Sequence, residues 1–353
     1  MYIRPIQQQD LDDLYELAKL SGIGVTSLPD DKAKMQAKLE SALSSFNETV
    51  AEQQRTYLFA LVDPAKEKVA GICALEASIG HNDIWYNYHV GKTVHASHEI
   101  GVHKITQTLH LSNDLTSSSE IATLFLTPDY RNNQNGQLLS RSRYLFLAEF
   151  SELFSEQIIA EMRGYSDENG RSPFWDSLGK HFFHMEFSDA DHLTGLGNKV
   201  FIAELMPKFP IYVPMLSDAA QQTIGKVHPQ TEPALAMLKS EGFEYNNYVD
   251  IFDAGPSVAA KVKNIRAVRE SQITAVVIDE QAPEPDLNNK QALLMVSNRQ
   301  FKDYRVLLAS QSALVDGTLM LSPQQATLLQ LTESDSARVV SLRPNPSLTP
   351  TGA

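Results

Sequence analysis

The sequence has a single cysteine among 353 residues, Cys73, so no disulfide can form within the chain and a reducing cytoplasm is its natural setting. It also lacks any apolar run near the roughly 20 residues that a membrane-spanning helix requires, and no membrane role is expected. The start, Met1 to Asp10, carries Arg4 and Asp10 and leads into no apolar segment, so no secretory signal is expected either. Positive charge is scarce: 30 Lys and Arg stand against 43 Asp and Glu, giving a formal net charge of −13. That balance argues against nonspecific nucleic-acid binding, which needs a basic surface to displace counterions, and it suits a cationic substrate. His95, His98 and His103 lie close together in sequence, but no cysteine is near them and no HExxH pattern occurs. No metal site is expected.

What the chain does have is apolar content, 42% of its residues, enough for a sizeable core and for two compact domains or one large domain with an appendage. Its opening reads as a short strand and then a helix, with Leu11, Leu14, Leu17 and Ala18 at helical spacing and Asp10 as N-cap. A glycine-containing segment, Ser21 to Pro29, precedes a second helix over Asp30 to Phe46. Tyr57 to Val62 and Val69 to Ala77 read as paired strands, with Cys73 buried in the second. Gly80 to Ser117 is a long insertion rich in aromatic and polar residues, of a length that often shapes a pocket. Later come a buried strand over Ile158 to Gly164 and a helix over Ser172 to Phe183. Phe201 to Leu216 reads as strand-like and then proline-broken, Thr231 caps a short helix, and a strand follows at Asn247 to Pro256. From about residue 256 short strands alternate with polar turns, predicting a small β-rich domain over 256–342 and a disordered tail over 343–353.

The organising stretch is Ser118 to Phe150. An apolar strand, Ile121 to Leu126, stops at Pro128, crosses the polar loop Arg131 to Gly136, and enters a helix with Leu138, Leu139, Leu145, Phe146 and Phe150 on one face. A helix start of this kind offers unpaired backbone N–H groups and the positive end of a dipole, so an anionic ligand such as a pyrophosphate is expected there. The loop resembles the pyrophosphate loop of the GNAT superfamily of acyl-CoA N-acyltransferases, Gln/Arg-x-x-Gly-x-Gly/Ala, through Arg131 and Gly136. Gln134 stands where that pattern has glycine, which is harmless at negative φ and strained at positive φ.

Over nearly its whole length the chain resembles the arginine N-succinyltransferase family, through GVTSLPDD, AGICALE, WYNYHVG, SSEIATLFLTPDYR, AEMRGYSDE, SPFWDSLGKHFF, FIAELMPKFPIY, VHPQT and NYVDIFDAGP. The resemblance implies an α/β fold: a GNAT-like mixed, mostly antiparallel sheet flanked by helices, spanning 1–255 with the insertion at about 80–117. It implies transfer of succinyl from succinyl-CoA, a cosubstrate rather than a permanently bound cofactor, to the α-amino group of L-arginine. It also implies a histidine proton donor at His228 in VHPQT and acyl-CoA contacts at Leu124, Leu126, Arg131, Gln134, Asn135 and Gly136. A strand splayed at Leu124 to Leu126 has free backbone donors for a thioester oxygen and pantetheine arm. A neutral His228 has the chemistry to take a proton from the ammonium and return it to the CoA thiolate.

Arginine requires carboxylates for its guanidinium, with Glu120, Glu161, Asp83 and Asp114 as candidates. Arg163 and His95 are candidates for the succinyl carboxylate. Two other readings remain open: the same chemistry on ornithine or another cationic amino acid, and a noncatalytic acyl-CoA-binding partner subunit, the latter prompted by Gln134. A homo-oligomer or a related paired subunit is implied by the family alone.

Overall fold

The structure is a computed structural model that describes residues 1–21, 27–81, 83–195 and 200–344. Among these, the N-terminal part contributes β1 (Tyr2–Pro5), β2 (Thr56–Asp63), β3 (Lys68–Glu76), β4 (Asn87–Ser97), β5 (Val102–Ser112), β6 (Ser119–Leu126), β7 (Gln157–Glu161), β8 (Ile211–Tyr212), β9 (Glu244–Asp250) and β10 (Pro256–Lys261). They lie in the order β1-β2-β3-β6-β7-β10-β9-β4-β5-β8. The sheet continues past β1, through the pair Ile3 and Val306, into β11 (Gln272–Ile278), β12 (Leu293–Ser297), β13 (Val306–Ser310), β14 (Leu314–Val315), β15 (Thr318–Leu321) and β16 (Ser336–Ser341). Parallel pairing among the described residues is confined to β6 with β7 and β11 with β15, so the sheet is mixed and mostly antiparallel as expected.

Helices cover both faces. On one side α1 (Leu11–Ser21) and α2 (Lys32–Phe46) bury Leu14, Leu17, Met35 and Leu39 against β2 and β3. On the other, α3 (Asn135–Glu149) packs Leu138, Leu139, Leu145 and Phe146 against Phe59, Cys73 and Tyr304. A second core forms where α4 (Pro173–Ser177), α5 (Gly179–Phe183), α6 (Phe187–Gly195), α7 (Val200–Leu205) and α8 (Asp218–Thr223) cover β4, β5 and β9. The chain then makes α9 (Glu232–Ser240), α10 (Arg266–Glu270) and α11 (Pro323–Leu329), the last packing on the C-terminal strands.

Several local expectations change. Asp10 is not a cap of α1: it lies inside a short 3-10 turn, where its carboxylate accepts from the Gln7 amide and from both terminal nitrogens of buried Arg4. The helix over Ser172 to Phe183 breaks at Leu178, whose φ of −130° and ψ of −70° leave the helical region, and Gly179 follows where a Cβ would sit 2.3 Å from the Trp175 ring. Phe201 begins no strand; Ile202 and Met206, four apart and both buried, follow the helical repeat of α7. The Gly80 to Ser117 insertion is chiefly the β4–β5 hairpin. Thr231 precedes α9 without a side-chain cap bond. Residues 256–261 form β10, inserted between β7 and β9, so this stretch belongs to the N-terminal sheet. Residues 22–26 of the Ser21 to Pro29 segment, and the tail from 345 onward, lie outside the described residues.

Candidate active site

β6 and β7 run parallel for only two pairs, Ser119 with Ile158 and Glu120 with Ile159, and then separate. β7 is paired with β10 along its other edge throughout, and β6 stays with β3. From residue 121 onward β6 therefore presents an unpaired edge toward the gap. Within it the register with β3 slips between Ile72 and Ala74, and Thr123 takes φ of 44°, the left-handed region that a β-branched residue rarely enters. The extra residue resets the alternation: Ile121 and Leu124, three apart, both pack toward α3, while Ala122 and Phe125 pack toward α1 and α2. Buried Arg143 of α3 braces this kink, donating to the carbonyls of Ala122 at 3.0 Å and Ala74 at 3.4 Å. The splay expected at Leu124 to Leu126 is thus built from a bulge, and Leu124 lines the cavity beside it.

Beyond β6 the loop closes onto α3. Arg131 Nε donates to the Leu126 carbonyl at 3.0 Å, fixing the arginine at the strand end while its side chain stays largely exposed. Asn133 and Gln134 both have positive φ, 49° and 63°, so the glycine position of the pattern does call for a left-handed residue and glutamine fills it under strain. The Gln134 carboxamide donates to the Leu287 carbonyl at 3.3 Å, tying the loop to the C-terminal part of the chain. The Asn135 amide donates to the Asn132 carbonyl and its carboxamide to the Tyr130 carbonyl, and the residue is buried inside the loop. The first α3 amide to take up a helical bond is that of Leu138, to Gln134, which leaves Gly136 and the unanticipated Gln137 in the open first turn. Nothing in the fold demands glycine at 136: its φ is not positive, and a Cβ would meet only a Leu126 methyl at 3.8 Å.

The gap between β6 and β7 opens into a cavity of about 560 Å³. Asp83, Glu120 and Glu161 line it as expected, joined by Asp250 and Asp253 from the turn after β9. Sequence reasoning passed over the last two, although they stand together in NYVDIFDAGP with the spacing of a carboxylate-braced turn. Asp250 accepts the amides of Phe252 and Asp253, and Asp253 accepts those of Gly164 and Gly255. Glu161 accepts from Asn87 Nδ2 at 2.5 Å, and the other end of that buried carboxamide, Oδ1, has no partner among the described residues. Among the described residues none of Glu161, Asp250 and Asp253 forms an ion pair with a cation. Burial, with the charges of Asp250 and Glu120 adding to it, pushes the Glu161 carboxyl well above its ordinary range. Burial raises Asp250 too, and it raises Asp253 despite the two backbone donors. Such a group is short of positive charge.

Asp114 is elsewhere, accepting from the Tyr248 hydroxyl at 2.9 Å in a groove beside His89 and His110. His95 lies on the β4–β5 hairpin against Tyr212, away from the cavity, whereas Arg163 lines it. The SPFWDSLGKHFF aromatics Phe174 and Trp175 are fully buried in the second core. Among the described residues no group of three His, Cys, Asp or Glu side chains is arranged to hold a metal ion, and no helix is long and apolar enough to cross a membrane.

His228 follows the bridge between Gly164 and Val227, and its amide donates to the Arg163 carbonyl at 2.9 Å. Thr231 donates its hydroxyl to the His228 carbonyl. Both anchors line the cavity, so His228 stands beside it rather than in its lining. The Gln230 amide donates to His228 Nδ1 at 3.2 Å; Nδ1 is therefore bare, and the neutral ring carries its proton on Nε2. Burial first and the Arg163 charge second lower the pKa of this half-buried imidazole, favouring that neutral form.

The open first turn of α3, the splayed β6 edge and the acid-lined cavity lie side by side, and comparison with known proteins says which family builds them. A family model described as arginine N-succinyltransferase beta subunit matches residues 1–267, and one for the C-terminal domain of that subunit matches 276–341. An arginine N-succinyltransferase of Yersinia pseudotuberculosis is 47% identical over 343 residues, 97% of this chain and 98% of that one. The subunit beta of arginine N-succinyltransferase from Pseudomonas aeruginosa is 50% identical over 97% of this chain and 98% of its own. The solved structure of arginine/ornithine succinyltransferase subunit AI from Pseudomonas aeruginosa superposes with a TM-score of 0.88 at 34% identity, covering 97% of this chain and 99% of that one. The chain is an acyltransferase of GNAT-like fold and belongs to the arginine N-succinyltransferase family.

Proposed function

We propose that the protein transfers the succinyl group of succinyl-CoA to the α-amino group of L-arginine, in the cytoplasm and without a permanently bound cofactor. The observation that carries this reading is the cavity at the β6 bulge, whose carboxylates Glu161, Asp250 and Asp253 have no cation of their own. A guanidinium supplies that charge in a form carboxylates bind through paired N–H donors. The CoA pyrophosphate takes the first turn of α3 with Arg131, and the pantetheine arm follows Leu126 and Leu124 along the free edge of β6. The thioester carbonyl then reaches the bulge at Thr123, where backbone groups out of the ladder serve the developing oxyanion.

Chemistry follows from charge. The α-ammonium loses its first proton to a carboxylate of the cavity lining that the guanidinium leaves unpaired. The amine attacks the thioester carbon, the tetrahedral intermediate collapses, and the C–S bond breaks. The attacking nitrogen sheds its second proton as the amide forms, and that proton ends on the departing sulfur; His228 directs its Nε2–H at the sulfur as a hydrogen-bond donor that stabilises the thiolate while the ring stays neutral. A double role for this ring, base first and acid second, suits it less well, since Nδ1 is held by an amide and Nε2 already bears the proton. Arg163, half-buried beside His228 and bonded only to the Ser166 hydroxyl among the described side chains, takes the α-carboxylate of the amino acid.

The test is release of free CoA from succinyl-CoA or acetyl-CoA against arginine, ornithine and lysine, with mass analysis of the product. Succinyl-dependent release with arginine and the mass of N-succinylarginine is the expected result. His228→Ala is expected to lower kcat about 100-fold or more; full turnover across pH would remove His228 from the mechanism. A second acceptor has a specific observation in its favour, because the solved relative is described as acting on arginine and ornithine. Side-by-side kcat/KM values decide between them. The relatives described as subunits favour assembly with a second copy or a related chain. Release with no donor–acceptor pair, together with intact succinyl-CoA binding, would make this chain the binding partner in such an assembly.

A further inference from the structure

The two reactants of the proposed transfer bring two carboxylates besides the CoA phosphates, one on the amino acid and one at the end of the succinyl group. The cavity lining contains three cations: Lys38 of α2, Arg143 of α3 and Arg163 after β7. None of them forms an ion pair among the described residues. Arg143 is used up in the fold, since all its guanidinium nitrogens donate to the Ser140 carbonyl and hydroxyl and to the carbonyls of Ala74 and Ala122. Arg163 belongs to the acceptor side, its carbonyl holding the His228 amide.

Lys38 differs from both. It comes from the helix on the opposite face of the sheet, is half-buried, and places Nζ 3.3 Å from Thr123 Oγ1, on the residue that forms the bulge. That hydroxyl is a neutral acceptor, which leaves the ammonium without an ion-pair partner among the described residues in a partly desolvated position. Thr123 itself is held at φ of 44°, a conformation that persists only where surrounding structure enforces it. With the thioester carbonyl at the bulge, two methylene groups separate it from the terminal carboxylate of a succinyl group. An acetyl group ends before it could use the lysine.

We infer that Lys38 receives the terminal carboxylate of the acyl donor and so makes the enzyme selective for a dicarboxylic acyl-CoA. The inference rests on the acyl-CoA path proposed above, not on the identity of the acceptor. Butyryl-CoA is the matched probe, equal to succinyl-CoA in chain length and lacking only the carboxylate. In Lys38→Met, which keeps an apolar stem of similar length, the preference for succinyl-CoA over butyryl-CoA in kcat/KM is expected to drop roughly 10- to 100-fold, the worth of one charged hydrogen bond. Lys38→Arg is expected to restore part of it. Arg163→Met is expected to raise the KM for the amino acid and leave the donor ratio standing.

Equal losses on both donors in Lys38→Met, or collapse of the ratio in Arg163→Met alone, would overturn the assignment. Calorimetry of the two acyl-CoAs without any acceptor separates this claim from the identity of the amino acid. If arginine is not the acceptor, the binding ratio still falls in Lys38→Met when the inference holds and stays unchanged when it does not.

Discussion

Two buried clusters of charge in this molecule obey opposite rules. Between α3 and α10, Glu241 is completely buried and both its oxygens are used: Arg141 and Arg266 pair with Oε1, the nearest Arg266 nitrogen at 2.8 Å, and the Ala267 amide donates to Oε2 at 2.9 Å. Arg141 finishes on Gln137 and Ser240, and Arg266 on Glu270 and the Ser341 carbonyl. In the cavity, Glu161, Asp250 and Asp253 meet amides and one carboxamide, and no cation among the described residues pairs with them. The first cluster is complete and ties the C-terminal strands to α3; the second has no built-in cation among the described residues, which is the charge the proposed substrate would bring. Buried charge stabilises a fold when its partners are built in, and serves binding when they are withheld.

The largest effect is expected from breaking the complete cluster. Glu241→Ala leaves two arginines facing each other without an anion and is expected to cost about 3–5 kcal/mol of stability, measured by urea unfolding. Replacing all three residues by apolar ones of similar size, Arg141→Met with Glu241→Leu and Arg266→Met, is expected to cost much less, because no charge is stranded. If the triple variant proved as unstable as the single one, the cluster would be doing more than neutralising itself.

Glu161→Gln sharpens the other half of the comparison. The folded-state pKa of Glu161 is raised, so its contribution to stability is present at low pH, where it is protonated in both states, and is lost as pH rises through the raised value. Removing the carboxyl removes that loss. The variant is expected to match the parent protein in melting temperature near the ordinary carboxyl range and to exceed it progressively at higher pH without substrate. Its KM for arginine is expected to rise roughly 10- to 100-fold, the value of a charged hydrogen bond. In the parent protein the same logic predicts that KM for arginine falls as pH rises through the titration of the cluster, with proton release visible as a buffer-dependent binding enthalpy. A pH-independent KM would show that the acids are already ionised before arginine binds.

Legibility in the sequence followed the range of the interactions. The β6-loop-α3 stretch could be read because its signals are local: an apolar strand, a proline stop, a polar loop and a helical stripe within about 30 residues. Glu120, Glu161, Asp83 and Arg163 could be proposed as candidates by charge. Asp114 could not be told from them, because its separation from the cavity is set by the pairing of β4 with β9. Asp250 and Asp253 were hidden in a segment that reads as strand and stop, where acids look like turn chemistry; they do brace the turn, and they also line the cavity. Lys38 was invisible for a related reason: on α2 it is one lysine among several, and only the packing of that helix on the sheet brings it to Thr123. The strand expected at Phe201 failed because a short apolar run has no period long enough to separate strand from helix.

Gln134 carries the smallest prediction, and it bears on the same contrast between charges held by the fold and charges left for a ligand. The side chain tethers the anion loop to Leu287, yet the backbone is strained where glycine would rest. Gln134→Ala keeps the strain and loses the tether; Gln134→Gly loses both. Gln134→Gly is therefore expected to be more stable than Gln134→Ala by about 1 kcal/mol, the cost of a left-handed non-glycine residue. Their KM values for succinyl-CoA then report what the tether does. If both rise by the same few-fold, the bond to Leu287 positions the first-turn amides of α3, and the C-terminal part of the chain contributes to donor binding through it. If neither changes, the loop holds its shape through Asn135 alone, and glutamine is tolerated at 134 rather than used.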